Sequence, residues 1–263
     1  MKLSSIILLV TFLLLVTAMF ASNILLKKEY DKIDKNDNYW TYGKILQQPF
    51  KHLKIEGGNV TRIAYEQSKS YSVRVAKDWY GYEKGLVKTY VKNDTLFLKF
   101  PNTYKDHYEK SWLEWNTLVR IFSPELLSVD GFDTNFQLFK LRQKSININL
   151  SGRSRLEVES YNNDLDSLHI NQKDSSEVIF EMSPDLKGQV FPHPGLKDSD
   201  TSKADQDIKS NSWETMYIKR VDANVQGVSL LNLGHAQINF LQLNISDTSA
   251  IILSGRSLGK LKR

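Results

Sequence analysis

Three groups of residues have the types to do chemistry. Glu157, Glu159, Asp164, Asp166 and Glu177, with Arg153 and Arg155, fall close together in the chain. Acidic polysaccharide is cleaved on stacked β coils by carboxylates, Lys and Arg drawn from one face, and glycoside hydrolysis needs two carboxylates at a set separation across a groove. On a strand Glu157 and Glu159 share the outward face, as do the charges of any solvated sheet, so a solvated face is the plainer reading. A carbohydrate-active enzyme, polysaccharide lyase or hydrolase, is the alternative. The five histidines, His52, His107, His169, His193 and His235, include no HExxH and no pair four apart. A metal site would need folding alone to assemble it, and alternation turns His169 to solvent between Leu168 and Ile170. Gly57-Gly58 lacks the rest of a phosphate loop and no GxSxG occurs, so neither a cofactor nor a metal is expected.

The third group is aromatic. Trp79, Tyr80, Tyr82, Tyr90, Tyr104, Tyr108, Trp112 and Trp115 lie in one stretch with Lys105, His107 and Lys110. Aromatic rings mixed with cations stack on sugar rings or sit at a membrane surface. They serve equally as the cap that closes the open end of a stacked β structure, the reading preferred here. Trp79, Tyr82, Tyr104, Tyr108, Trp112 and Trp115 are the candidate binding surface, and a helix over Tyr104 to Leu118 would put Tyr108, Trp112 and Trp115 on one face.

The elements that must position these groups lie between Leu126 and Leu258, where apolar pairs at alternate positions return ten residues later. Ile146 and Ile148 are answered by Leu156 and Val158, and Leu168 and Ile170 by Val178 and Phe180. Val228 and Leu230 are answered by Ile238 and Phe240, and Leu241 and Leu243 by Ile251 and Leu253. A period of two is that of a strand. Turn formers separate the pairs, as in Ser151-Gly152-Arg153-Ser154, Lys173-Asp174-Ser175-Ser176 and Ser246-Asp247-Thr248-Ser249. Such repeats predict coils stacked so that neighbours complete a shared core.

With 263 residues, one large β domain plus a targeting segment is the natural division. Thirty-five basic residues against 30 acidic ones give +5, with the charges interspersed and no basic arm, which argues against nucleic acid as a partner. Cysteine is absent, excluding disulfides, thiolate metal sites and a cysteine nucleophile. Ser5 to Leu26 is an uncharged apolar run of about the 20 residues a membrane helix needs. A cleaved signal peptide is the competing reading, but Met19 occupies the usual small-residue position before Ala21, and Ile24-Leu25-Leu26 prolongs the run. Charge counting alone would hold the following domain in the cytoplasm, since Lys27, Lys28, Lys32 and Lys35 follow the span. Export is preferred because Glu29, Asp31, Asp34 and Asp37 accompany them and a short N-tail behaves as a signal anchor. Residues 29–48, with Tyr30, Trp40 and Tyr42, read as a juxtamembrane spacer.

Strand signals begin at Phe50 with Leu53 and Ile55, then Gly57-Gly58 as a hairpin turn or a coil corner. Asn93-Asp94 marks a tight turn before Leu96, Leu98 and Phe100. The order Phe50-x-x-Leu53-x-Ile55, Asn93-Asp94-Thr95-Leu96-Phe97-Leu98, Val119-Arg120-Ile121-Phe122-Ser123-Pro124-Glu125-Leu126-Leu127-Ser128-Val129 and then the serine-rich coils resembles the GIN-type auto-transporter adhesin head family, over roughly Phe50 to Leu258. The resemblance implies a right-handed parallel β-helix-like fold in a bacterial envelope protein without an established enzymatic activity.

Ser183 to Ser212 interrupts the pattern with Pro, Gly, Ser, Asp and Lys, and reads as a mobile loop between coils. The sequons beginning at Asn59, Asn93, Asn149 and Asn244 are read as turn residues. The expectation is therefore an all-β, right-handed parallel β-helix-like solenoid preceded by one N-terminal transmembrane helix: an anchor or signal peptide over 1–28, a spacer over 29–48, and a domain over 49–263 with an insertion at 183–212. Its expected work is non-catalytic and adhesin-like, through outward ladders of Ser, Asn and Asp and the aromatic segment. The expected partners are the membrane and an envelope protein or glycan, with self-association open. The domain is expected outside the cytoplasm, in the periplasm or at the surface of a bacterium.

Overall fold

Successive Cβ atoms of an extended chain point to opposite faces, so residues that alternate in polarity build strands with one buried side. The computed structural model follows that alternation over most of the chain; it describes residues 3–79, 81–101, 117–139, 141–159, 165–180, 217–234 and 236–253. The chain divides into two compact units, one up to Tyr42 and one from Gly43 onward. The first contains a helix, α1 (Leu3–Asp31), of 29 residues. At 1.5 Å per residue it is about 44 Å long, against roughly 30 Å of hydrocarbon in a bilayer. It is long and apolar enough to cross a membrane. Thr11 and Thr17 donate their hydroxyls to the Ile7 and Leu13 carbonyls at 2.9 Å, so neither hydroxyl is left unpaired on an apolar helix.

The second unit is β structure. Its first strands are β1 (Tyr42–Leu46), β2 (His52–Glu56), β3 (Arg62–Gln67), β4 (Ser72–Ala76), β5 (Lys88–Lys92), β6 (Thr95–Lys99) and β7 (Thr117–Ser123). Then follow β8 (Ser128–Phe132), β9 (Asn135–Phe139), β10 (Ser145–Ser151), β11 (Arg155–Glu159), β12 (Leu165–Gln172) and β13 (Glu177–Ile179). Last come β14 (Tyr217–Val225), β15 (Leu230–Asn232), β16 (Gln237–Ile245) and β17 (Ala250–Ile252). Among the described residues they form two mixed sheets, a nine-stranded one ordered β1-β4-β7-β3-β9-β11-β13-β15-β17 and an eight-stranded one ordered β16-β14-β12-β10-β8-β2-β6-β5. Only β4 with β7 and β5 with β6 are antiparallel among the pairings with a defined register; the others are parallel. The stretch read as a spacer thus ends in a strand, β1.

From β8 onward successive strands alternate between the sheets. The ten-residue return seen in the sequence therefore leads to the opposite sheet, and a strand meets its neighbour in the same sheet only after about twice that distance. Asn149 and Asn171 are 22 residues apart, as are Arg155 and Glu177. The predicted insertion, 183–212, lies outside the described residues.

The core lies between the sheets. Ile146, Ile148, Leu156, Val158, Leu168, Ile170, Val178 and Phe180 point into it as the alternation predicts. The next pair is out of phase: Val228 is 70% exposed and Leu230 is half-exposed, while Leu231 and Leu233 are buried. The left-handed corner at Gly227, φ 73°, precedes this change of phase. Phe240 is also exposed, because Asn239 and Phe240 both point outward between buried Ile238 and Leu241. Lys219-Arg220 and Asp166-Ser167 do the same in β14 and β12. The irregularity recurs in register across three strands, since a parallel neighbour can keep its ladder only by copying the local backbone.

Corners stack as well. Asp133, Gly152, Asp174 and Gly227 all have φ between 50° and 73° at successive passages from the eight-stranded sheet to the nine-stranded one. A left-handed aspartate costs roughly 1–2 kcal/mol. Each carboxylate offsets this by accepting a backbone amide of a neighbouring turn: Asp133 from Arg153 and Asp174 from Gly152, both at 2.9 Å. Gly57 and Gly58, both at φ 86°, make such a corner between β2 and β3, not a hairpin. Asn93 and Asp94, at 50° and 56°, make the tight turn between β5 and β6.

Candidate functional site

Of the serines expected on outward ladders, Ser128 does stand on an outer face, whereas those of three corners are buried. Ser154, Ser176 and Ser229 are each 3% exposed or less, and the Ser176 and Ser229 hydroxyls lie 3.3 Å apart. Asn149 and Asn244, read as turn residues, lie within β10 and β16 and face solvent. Parallel register places them in one row that crosses the whole eight-stranded sheet: Tyr90, Phe97, Lys54, Asp130, Asn149, Asn171, Asn224 and Asn244. Each sits between two buried neighbours on its own strand or, at the margins, continues that outward face.

The polar end of the row is hydrogen-bonded in two runs, one from Asp130 through Asn149 to Asn171 and one between Asn224 and Asn244. Asn149 donates to Asp130 at 2.6 Å, Asn171 to Asn149 at 2.9 Å, and Asn244 to Asn224 at 3.0 Å. Gln226 donates to Asn224 at 3.1 Å. At the other end the Tyr90 and Phe97 rings stack with centroids 4.8 Å apart and planes 8° from parallel. Lys54, Asp130, Asn149, Asn171 and Asn224, walled by the exposed Phe132, line an open concavity of about 690 Å³. Lys54 lies 3.8 Å and Lys99 2.9 Å from Glu56, and the hydrogen bond to Glu56 holds the Lys99 ammonium above its usual range.

A second outward row, beside the first, holds His52, Ser128, Asn147, His169, Asp222 and Gln242. His52 Nδ1 lies 2.8 Å from Ser128 Oγ, and His169 Nδ1 3.1 Å from Asp222. Arg220 donates to Asp222 at 2.7 Å, a hydrogen bond that raises the guanidinium further, and its guanidinium lies 4.6 Å from the Phe240 ring centroid. The two histidines pair separately, and among the described residues no three His, Cys, Asp or Glu side chains converge as for a metal. His107, His193 and His235 lie outside the described residues.

The acidic cluster is on the nine-stranded sheet, held by one arginine. Arg155 donates to Glu157 at 2.9 Å and to Glu177 at 3.1 Å, while Glu157 accepts from Gln137 at 2.5 Å. The Arg155 and Glu157 side chains are only 17% and 13% exposed. Asp166 is on the other sheet, bridged to Lys219 at 2.5 Å. Asp164 and the side chain of Glu159 lie outside the described residues. Among the described residues of the cluster, Glu157, Glu177 and Asp166 are thus each paired with a cation, whereas glycoside hydrolysis needs two carboxylates facing each other across a groove.

Of the predicted aromatic surface, Trp79 and Tyr82 are half-buried against the core. Trp79 covers Gly81, and a Cβ at Gly43 would clash with the hydroxyl end of the Tyr82 side chain. Tyr80, Tyr104, Lys105, His107, Tyr108, Lys110, Trp112 and Trp115 lie outside the described residues, and the far end of the helix expected over Tyr104 to Leu118 is strand, because Thr117 opens β7. Among the described residues of that stretch, Tyr90 is turned out onto the sheet, 42% exposed. The signal for the asparagine row was available in the recurrence of Asn at outward positions of β10, β12, β14 and β16. An outward ladder with Asn was expected, but reading Asn149 and Asn244 as turn formers left these two residues out of it.

No family model matches the sequence, and no curated protein matches it. Among solved structures, the chain is similar to a "putative adhesin" of Bacteroides fragilis, with 15% identity and a TM-score of 0.36, over 80% of this chain and 94% of that one. It is similar to a "putative lipid binding protein" of Parabacteroides distasonis at 14% identity and a TM-score of 0.40, over 80% of each chain. A "putative adhesin" of Parabacteroides merdae matches at 12% identity and a TM-score of 0.30, over 81% of this chain and 95% of that one.

Proposed function

We propose that this is a non-catalytic, adhesin-like envelope protein, anchored in a membrane through Ser5 to Leu26, whose β domain binds through the outer face of the eight-stranded sheet. The observation that carries the reading is the row of outward amides from Asn149 to Asn244, held in register by parallel pairing. A repeated, exposed and hydrogen-bonded polar surface suits recognition of an extended partner, whereas catalysis needs converging groups. The alternation of strands between sheets supports reading the domain as a right-handed β-helix-like solenoid, since crossovers between parallel strands are right-handed in nearly all proteins. The GIN-type adhesin-head resemblance belongs to the same reading.

Two experiments test it. Full-length protein in detergent, immobilised on beads, is expected to retain purified cell-wall sacculi or outer-membrane vesicles, and the Asn149→Ala/Asn171→Ala double variant to release them. Equal retention by both would end the assignment to this face. For location, Lys69→Cys introduces a single thiol at an exposed turn after β3. Reaction with an impermeant maleimide before the inner membrane is breached is expected; reaction only afterwards would place the domain in the cytoplasm.

A further inference from the structure

Resting on that binding reading, we propose that the groove on the eight-stranded sheet takes a neutral linear glycan lying across the strands. The charges lining it balance: Lys54 and Lys173 against Glu56 and Asp130. Glu56 is bridged by lysines, and Asp130 accepts the Asn149 amide. Such a surface attracts neither a polyanion nor a polycation, and what it offers instead is hydrogen bonding.

The amide chemistry repeats with the strand. Asn149 spends one N–H on Asp130 and one acceptor site on Asn171, and its amide inventory leaves a second N–H and a second lone pair toward solvent. Asn171 spends one N–H on Asn149 and keeps its other N–H and both lone pairs, whereas Asn224 accepts from Asn244 and Gln226 and keeps both N–H groups. Unspent amide groups thus stand on three adjacent strands, one strand spacing of about 4.8 Å apart, close to the advance of one pyranose ring in an extended chain. From Lys54 to Asn224 the groove crosses five strands, so its length is about 19 Å, room for about four rings. A sugar hydroxyl both donates and accepts, which matches a surplus donor beside a surplus acceptor. Phe132 forms one wall, and the Tyr90–Phe97 stack comes next in the row beyond Lys54, so both offer apolar faces to the C–H faces of a sugar ring. The amides are already held by one another, so little side-chain freedom is lost on binding.

The test is calorimetric titration of full-length protein, in a sugar-free zwitterionic detergent, with cellohexaose, xylohexaose and mannohexaose, and with hexagalacturonate as the anionic counterpart. At least one neutral hexasaccharide is expected to bind and the anionic one not to. The Asn149→Ala/Asn171→Ala variant is expected to lose roughly tenfold in affinity, the equivalent of two modest hydrogen bonds. Asn224→Ala, at the far end, is expected to weaken the hexasaccharide more than the matching trisaccharide. Unfolding midpoints of each variant verify that it is folded, and Asn224→Ala keeps the test open if the double variant is not. Failure of all three neutral glycans, preference for hexagalacturonate, or affinities indifferent to both variants would overturn the proposal. If the beads still retain envelope material through Asn149 and Asn171 while the neutral glycans fail, the glycan class is wrong and the binding face stands. If retention fails too, both fall.

Discussion

Asn171 donates its side-chain amide to the Asn149 carbonyl at 2.9 Å, and Asn149 repeats the gesture toward Asp130 at 2.6 Å. The side chains thereby copy, on the outer face, the ladder that the backbones make within the sheet. Such amide ladders form where identical residues stack in register. The relationship is a consequence of the fold, because 22 residues of chain separate the two amides.

Asn149→Asp keeps the shape and replaces the donor by a charge opposite Asp130. Like charges directly opposite on adjacent strands are destabilising, by about 1 kcal/mol here. Both residues are exposed, so much of the loss should return in 1 M salt, where screening is short-ranged. Thermal unfolding at low and high salt measures this; a salt-independent loss would show that packing and not charge was damaged.

Arg155→Met removes the cation that Glu157 and Glu177 share. Since the Glu157 side chain is 13% exposed and the Glu177 side chain 29%, the cost is expected at about 2 kcal/mol, below that of a fully buried pair. Adding Glu157→Gln should restore part of it, and urea unfolding of the single and double variants gives the coupling. No recovery would mean that the arginine stem, not its charge, held the site.

Gly227→Ala and Gly85→Ala separate two causes of strain. Both glycines have positive φ, 73° and 56°. A Cβ on Gly227 would stand 2.6 Å from the Asp174 carbonyl oxygen, which is backbone and cannot turn aside, whereas nothing lies within 4 Å of one on Gly85. The Gly85 change should cost about 1 kcal/mol, the left-handed penalty alone, and the Gly227 change clearly more, about 3 kcal/mol. Equal losses in chemical denaturation would show that the stacked corner yields.

Tyr65 is fully buried, and its hydroxyl donates to the Ser123 carbonyl at 3.1 Å. Burial pushes the phenol up to about 12, from an ordinary 10. A folded value above the unfolded one contributes stability that is complete below pH 10 and is lost as pH rises toward 12. Wild type should therefore lose about 2 kcal/mol more than Tyr65→Phe between pH 9 and 12, although the variant is about 1 kcal/mol weaker at pH 7 for want of its hydrogen bond. Parallel curves of unfolding free energy against pH would disprove the assignment.

Local signals in the chain made much of the architecture legible. The apolar run from Ser5 to Leu26 lies within the helix Leu3–Asp31, and Asn93-Asp94 and Gly57-Gly58 stand where left-handed turns were needed. Paired apolar residues such as Ile146 and Ile148 do face the core, because alternation in a strand is a local property. The phase of Leu231 and Leu233 was not legible, since Gly227 changes the direction of the chain just before them.

The sequence by itself determined that strands would form, which faces most of them bury and where many of them turn, since each depends on residues a few positions apart. Only the tertiary structure decided that strands ten residues apart belong to opposite sheets, that serines fill the corners, and that Asn149, Asn171, Asn224 and Asn244 stand in one row. The physical reason is register. It is set by corner geometry and by hydrogen bonds between backbones twenty or more residues apart, and a corner one residue longer would turn every following side chain to the other face.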